Sequence, residues 1–255
     1  MFNKLQFIHP NIFNITKRKE FVADLSLNGY VDHAFEFAFN MTFGAEGHHR
    51  DHRTGGQHQR QKAELFINAF QGKLAEFGVY RKLTDNKIDV NKPDLRIMGA
   101  GLWDDFDFIC GSKKISVKSA AHFSNLMLLE QKDWSKNGAY IPNLEGGNSQ
   151  YDYFIFCRIK PDGKQMLRDH KDIFLKDEVD KIELKRLIIN GQSWLIDIAG
   201  FIAHEDLVSI INGEFILPQK ALLNGKTEMD AANYYVQSGD LHPLSDLVTE
   251  LKSSI

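Results

Sequence analysis

The stretch FDFICGSKKISVK, residues 106–118, carries the clearest structural pattern in the chain. WDDFDFIC at 103–110 has the aromatic and β-branched content of a strand, the following GSKK has the composition of a turn, and ISVKS at 115–119 predicts a return strand. The sequence therefore predicts a β-hairpin. Its two strands bring Asp107 and Lys118 side by side, although they are eleven positions apart in the chain.

The segments on either side of the hairpin predict two helices and a buried strand. KAELFINAFQGKLAEFGVY at 62–80 has an apolar stripe at helical spacing, and HFSNLMLLEQKDW at 122–134 also predicts a helix. YDYFIFCRI at 151–159 is almost continuously apolar, as expected of a parallel strand covered on both faces. This order of elements predicts an α/β fold, with a mixed central β-sheet flanked by helices.

The remaining segments have weaker patterns. We expect a helix within residues 18–43, a strand at 193–202 and a short helix at 204–211, whereas DAANYYVQ at 230–237 is ambiguous.

Three regions are predicted along the chain. The first is an N-terminal region of residues 1–61 with a loop rich in His, Arg and Gly. The second is a core of residues 62–160. The third is a C-terminal region of residues 161–255.

Length and composition exclude several classes of protein. The chain has 255 residues, of which 43% are hydrophobic and 25% are charged, and this is unlike a disordered, collagen-like or disulfide-rich protein. Cys110 and Cys157 lie in apolar runs and predict buried, reduced thiols. We see neither a signal peptide nor a membrane-spanning stretch, and therefore expect a cytoplasmic protein without a membrane partner.

The pairing of Asp107 with Lys118 suits metal-assisted hydrolysis of a phosphodiester. A carboxylate can hold Mg²⁺, which prefers oxygen ligands, and the metal lowers the pKa of a bound water. A neighbouring lysine can orient that water or neutralise the scissile phosphate. Asp104 and Asp105 are further candidate acids in the same strand, and we rank Asp107 first by its spacing from the lysine.

FDFICGSKKISVK, followed by a helix and the strand YDYFIFCRI, resembles the PD-(D/E)XK nuclease superfamily. The resemblance covers residues 62–160 and implies the core fold of Type II restriction endonucleases, with Mg²⁺ as cofactor. It also implies that Asp107 binds the metal and that Lys118 is catalytic. At the position of the second metal-binding acid, two residues before the lysine, this chain has Ser116 instead.

Some members of the superfamily with Ser-X-Lys supply the missing carboxylate from the next helix. Glu130 follows Lys118 by twelve residues on the predicted helix 122–134, so the resemblance implies Asp107 and Glu130 as the metal ligands. Glu64, on the preceding helix, resembles an acid that many members place beside the metal, and with Ser116 we expect it to be auxiliary.

The net charge of −3 does not by itself point to a polyanion partner. A DNA-binding surface would therefore have to come from local clusters of basic residues. The segment 44–61 with its arginines could clamp phosphates, or be a solvated loop. Zinc binding by His48, His49 and His52 is less favoured, because no cysteine is near. The candidate DNA contacts are Arg50, Arg53, Arg60, Lys62, Lys113, Lys114 and Asn233.

Three functions fit these features. The first is a Type II restriction endonuclease that cuts double-stranded DNA at a specific sequence with Mg²⁺, acting as a homodimer as the resemblance implies. The second is a structure-specific repair or recombination nuclease of the same fold. The third is a non-catalytic DNA-binding protein with a decayed nuclease core, and Ser116 keeps this alternative open.

Overall fold

A computed structural model describes residues 1–23, 25–44, 62–96, 106–144, 147, 149–174 and 179–253. The strands are β1 (Gln6–Ile8), β2 (Ile12–Asn14), β3 (Leu25–Ser26), β4 (Phe108–Cys110), β5 (Lys113–Ala121), β6 (Leu126–Glu130), β7 (Tyr153–Lys160), β8 (Leu195–Ala203), β9 (Ile216–Leu217), β10 (Leu222–Leu223), β11 (Thr227–Glu228) and β12 (Asn233–Gln237). The α-helices are α1 (Val31–Phe43), α2 (Lys62–Asp85), α3 (Gly163–Asp169), α4 (Lys171–Phe174), α5 (Lys181–Lys185), α6 (His204–Asn212) and α7 (Leu244–Ser253).

A five-stranded central sheet has the order β3-β8-β7-β5-β4. The predicted hairpin is confirmed: β4 and β5 are antiparallel, with Phe108 opposite Ile115. β7 runs parallel to β5 and antiparallel to β8, and β3 closes the other edge of the sheet. The sheet is therefore mixed, as an α/β fold was predicted to have.

Both faces of the central sheet are covered, which explains the unbroken apolar run in β7. Tyr153, Ile155 and Cys157 pack with the buried residues of α1 and α2. Phe154 and Phe156, on the opposite face, pack with the buried residues of β6, β12 and α6. Because successive side chains of a strand point to opposite faces, a strand between two layers must be apolar at every position.

The second layer contains a small sheet in the order β6-β12-β9. The helix predicted for residues 122–134 is wrong, because residues 126–130 form β6 and only 131–133 form a 3-10 turn. Met127 and Leu129 face the central sheet, whereas Leu126 and Leu128 pack on the other side with Leu5 and Tyr235. Burial on two faces makes the run LMLL uniformly apolar, and such a short run does not distinguish a strand from a helix.

A third sheet, β1-β2-β10-β11, joins the two ends of the chain. β2 pairs parallel with β10. The side chain of Gln237 accepts hydrogen bonds from the backbone N–H of Thr16 at 2.7 Å and of Lys17 at 3.0 Å, and Asn3 binds the carboxylate of Asp240. Long-range pairing therefore holds the first seventeen residues in place.

The other predicted elements are largely present. The helix expected within 18–43 begins only at Val31, and the ambiguous segment 230–237 contains strand β12. The central sheet takes strands from residues 1–61, 62–160 and 161–255 alike. In the described part of the chain, no helix combines the length and apolarity that a bilayer crossing requires.

Gly200 interrupts the pairing of β7 with β8. Its φ is +147°, and a Cβ at this position would overlap the backbone oxygen of His242. The register shifts here, because Phe156 lies opposite Gly200 while Cys157 lies opposite Ile198. This close approach requires a residue without a side chain.

We expect Gly200→Ala to lower the free energy of unfolding by about 2 kcal/mol, because it adds backbone strain and a clash. Gly72→Ala is the matched control: nothing lies near its missing Cβ, and alanine in a helix interior should stabilise by about 0.5–1 kcal/mol. Chemical denaturation measures both changes, and equal effects at the two glycines would contradict this account.

Candidate active site

Asp107 lies where the chain enters β4, at the edge of the central sheet. Its N–H donates to the oxygen of Ile115 at 3.1 Å and so continues the hairpin. One carboxylate oxygen, Oδ2, accepts from the N–H of Val117 at 2.6 Å and from Oγ of Ser116 at 3.3 Å. The other oxygen, Oδ1, receives no hydrogen bond from a described residue. The carboxylate is thus fixed through one oxygen only.

Lys118 shares a face of β5 with Ser116, because side chains two positions apart point the same way. Burial lowers the pKa of Lys118, and the nearby carboxylates of Asp107 and Asp133 oppose this shift. Its ammonium forms no hydrogen bond or ion pair with a described residue. The structure therefore brings the predicted acid and the predicted lysine into electrostatic contact at one place.

A cavity of about 430 Å³ lies at this edge of the sheet, and it is lined by residues of α1 and α2 together with Tyr140, Asn143 and Tyr151. Its apolar walls include Phe37, Phe106 and Tyr140. The polar side chains that line it are Lys73, Glu76, Asp107, Ser116, Lys118 and Asn143. The cavity is large enough for a small polar ligand, and both acidic and basic side chains line it.

Helix α2 contributes an ion pair that the sequence analysis missed. Nζ of Lys73 lies 2.7 Å from Oε2 of Glu76, donates to the backbone oxygen of Asp94 at 2.7 Å, and lies 4.6 Å from the ring centre of Phe37. The two side chains are only 5% and 13% exposed. The sequence does contain a sign of this pair: Lys73 and Glu76 are opposite charges three residues apart, so they share a face of a helix that has many buried residues.

The segment after β6 contributes Tyr140 to the lining of the cavity. Asp133 is buried, and its negative charge favours the charged form of Lys118. The Trp134 ring packs on Tyr140 and Phe154, with centroid distances of 5.1 and 5.3 Å. This aromatic packing holds residues 134–140 against the sheet face that carries Lys118.

Glu130 is not brought to the cavity. It ends β6 opposite Asn233 and, by the alternation of the strand, lies on the same side as Leu126 and Leu128, away from the central sheet. The expected position on a helix facing Asp107 is therefore a correction: residue 130 is on a strand, and the strand turns it the other way. The local sequence could not show which of two covered faces it would occupy.

Glu64 also lies apart from the cavity. It is in the first turn of α2 and forms an ion pair with Lys164 at 3.3 Å. Twelve residues of helix separate it from Glu76, or about 18 Å along the axis. Among the acids of α2, the structure thus places Glu76, and not Glu64, at the candidate site.

The expected DNA contacts have different surroundings. Lys62 is exposed at the start of α2, and Lys113 forms an ion pair with Asp152 at 3.1 Å. Nζ of Lys114 lies 5.7 Å from the ring centre of Phe106, which itself lines the cavity. Asn233 is 8% exposed and donates to the oxygen of Ala231, a placement that does not suit a residue that reads bases.

Several candidates lie outside the described residues. They are Arg50, Arg53, Arg60, the histidines 48, 49 and 52, Asp104 and Asp105.

Lys73 and Glu76 form a largely buried pair, so their loss should be non-additive. We expect Lys73→Met to lower the free energy of unfolding by about 3 kcal/mol, because it leaves the Glu76 carboxylate in a poorly solvated place. The double variant K73M/E76L should recover most of that loss. A double-mutant cycle measured by urea denaturation tests this, and strictly additive losses would contradict a coupled pair.

No protein-family profile, curated protein or solved structure matches the chain. What the site can do therefore has to be read from its own residues.

Proposed function

We propose that the chain is a Mg²⁺-dependent nuclease that hydrolyses phosphodiester bonds in double-stranded DNA, in the manner of a Type II restriction endonuclease. The observation that carries this proposal is the convergence of Asp107, Ser116 and Lys118, from two adjacent strands, on one cavity that Glu76 also lines. Hydrolysis of a phosphodiester needs oxygen ligands for a metal and a cation near the phosphate, and this cavity has both.

The oxygen donors at the cavity fit Mg²⁺. They are the Asp107 carboxylate, whose Oδ1 accepts from no described residue, the Glu76 carboxylate and the Ser116 hydroxyl. The described residues hold no cluster of three or more His, Cys, Asp or Glu side chains. Mg²⁺ does not require one, because it usually keeps several waters and binds through one or two carboxylates together with substrate phosphates.

Glu76 takes the role of second carboxylate in this proposal, which the sequence analysis had given to Glu130. It lines the cavity, and its partner Lys73 keeps it in place on α2. A bound Mg²⁺ would lower the pKa of a water molecule and neutralise charge on the phosphate. The chain itself contributes Asp107 and Glu76 as ligands and Lys118 as the cation that orients the attacking water or the phosphate.

The strand order supports a restriction-endonuclease-like core. Helix α2 precedes the antiparallel pair β4 and β5, and β7 returns parallel to β5. This is the order of helix, hairpin and parallel strand that the resemblance to PD-(D/E)XK nucleases implies. Asp107 directly precedes β4, and Lys118 lies in β5. Recognition of a palindromic site would require a homodimer with one such cavity for each strand.

One alternative is favoured by a specific observation. Ser116 stands where the resemblance implies an acid, and Glu130 lies on the far face of β6. Both features fit a DNA-binding protein whose nuclease core has decayed. The two proposals differ in their answer to Mg²⁺: a nuclease cuts DNA when the metal is added, whereas a decayed core binds DNA and leaves it intact. A structure-specific nuclease of the same fold would cut branched or flapped DNA in preference to a linear duplex.

We expect Lys118→Met to reduce cleavage of phage DNA in Mg²⁺ by at least about 100-fold, because it removes the ammonium and keeps the buried stem. Thermal stability should stay close to wild type, whereas duplex affinity should fall by about tenfold, far less than the loss of cleavage, because the ammonium also faces the bound phosphate. Lys252→Met, an exposed lysine at the end of α7, is the control and should cut normally. The readout is a gel: discrete bands from the wild type indicate sequence-specific cutting, and a smear indicates non-specific cutting. Normal cutting by the Lys118 variant would remove that residue from the mechanism, and intact DNA with the wild type would favour the decayed core.

The two candidate second carboxylates can be compared directly. We expect Glu76→Gln to raise the Mg²⁺ concentration needed for half-maximal cleavage by about tenfold, because a metal ligand loses its charge. Glu130→Gln should leave the Mg²⁺ dependence unchanged. A magnesium titration of cleavage rate measures both variants, and the opposite ranking would return the role to Glu130.

A further inference from the structure

Asn143 lines the cavity, and the proposed mechanism does not use its polar side chain. It ends the short 3-10 turn Ile141–Asn143, and the residue is only 7% exposed. Its side-chain nitrogen Nδ2 is buried and has no hydrogen-bond partner among the described residues. A buried amide without a partner destabilises the fold, because its hydrogen bonds to water are lost on folding and no others replace them.

The backbone around Asn143 is well held, in contrast to its amide. The N–H of Asn143 donates to the oxygen of Tyr140 at 3.2 Å, and the N–H of Tyr140 donates to the oxygen of Ser149 at 2.6 Å. The Tyr140 ring packs on Trp134. The residue is therefore kept at the cavity wall, while no described group fixes the amide in either of its two orientations about the terminal bond. It can turn to present its nitrogen or its oxygen to a ligand.

The neighbours of Asn143 indicate which ligand that is. Lys118 lines the same cavity, and its ammonium donates no hydrogen bond to a described residue. The Ser116 hydroxyl is already committed to Asp107. The cavity thus offers two uncommitted sets of N–H donors, one charged and one neutral, beside a carboxylate. A phosphate group, with its non-bridging oxygens, accepts from donors of this kind, and an amide adds geometric definition to a lysine that acts as a point charge.

We propose that the side-chain amide of Asn143 donates to a non-bridging oxygen of the DNA phosphate that Lys118 faces, so that the two residues hold the phosphate together. This inference rests on the proposed nuclease function and adds a substrate-binding residue to it. It also explains the uncommitted amide, because the group is satisfied only when the phosphate is bound.

The test separates a ligand-binding amide from a structural one. Asn143→Leu has nearly the same shape and removes the unpaired polar group, so it should raise Tm by about 3 °C. The same variant should weaken binding of a fluorescein-labelled 20-base-pair duplex about tenfold, measured by anisotropy in EDTA so that no cleavage occurs. Asn143→Asp, which replaces donors by a negative charge, should weaken binding further. Asn137→Leu, an exposed residue of the same loop, is the control and should bind as the wild type does.

Three results would contradict either the inference or the nuclease proposal on which it rests. Unchanged affinity for Asn143→Leu, whatever its Tm, would show that the amide does not contact the phosphate and would overturn the inference, while the nuclease proposal would stand. A wild-type protein that binds no duplex in EDTA and cuts no DNA in Mg²⁺ would overturn the nuclease proposal itself. Equal losses of affinity for the variants at positions 137 and 143 would show that the whole loop, and not this amide, contacts DNA, and would also overturn the inference.

Discussion

The candidate site depends on one hydrogen-bonded contact, from the N–H of Val117 to the carboxylate of Asp107. At this point β5 continues past the described end of β4, and an edge N–H needs an acceptor. The carboxylate supplies it with one oxygen and leaves the other toward the cavity residues. The same bond therefore completes the edge of the sheet and orients the acid beside Ser116 and Lys118. Because one side chain serves both the sheet edge and the candidate site, a substitution of Asp107 should affect both.

The sequence predicts the local parts of this arrangement well. Alternating residues and the GSKK turn indicate the hairpin. The predicted register is wrong by two residues: Phe108 lies opposite Ile115, so Asp107 lies opposite Ser116 and not Lys118. The uniform apolar run of β7 indicates a strand covered on both faces, and the packing of Tyr153 and Phe154 on opposite layers bears this out. The hairpin depends on contacts between residues that are near in the chain. The burial of β7 on both faces is visible in the composition of that strand alone.

The parts that were missed depend on distant contacts. β6 is a strand because β12, a hundred residues later, pairs with it, and no local pattern contains that information. Glu130 consequently faces away from Asp107 and leaves Glu76 of α2 as the neighbouring carboxylate. Glu76 was hidden within a helix whose apolar residues dominated the pattern. Charged residues are rarely buried in a helix unless they are paired. Lys73, the partner of Glu76, is only 5% exposed.

The joining of the two ends of the chain has a consequence for synthesis of the protein on the ribosome. The N–H of Thr16 is held by Gln237, which is 221 residues later in the chain. At 5–20 residues per second, the first strands wait about 10–45 s for their partners to be made. During that interval β2 lacks its partner β10, so the edge of the β1-β2 hairpin that later joins the sheet is accessible to chaperones and to other nascent chains. Synthesis of the far end of the chain therefore delays the docking of the N-terminal strands, whereas every residue that lines the candidate site, from Phe37 to Tyr151, has been made 86 residues before Gln237.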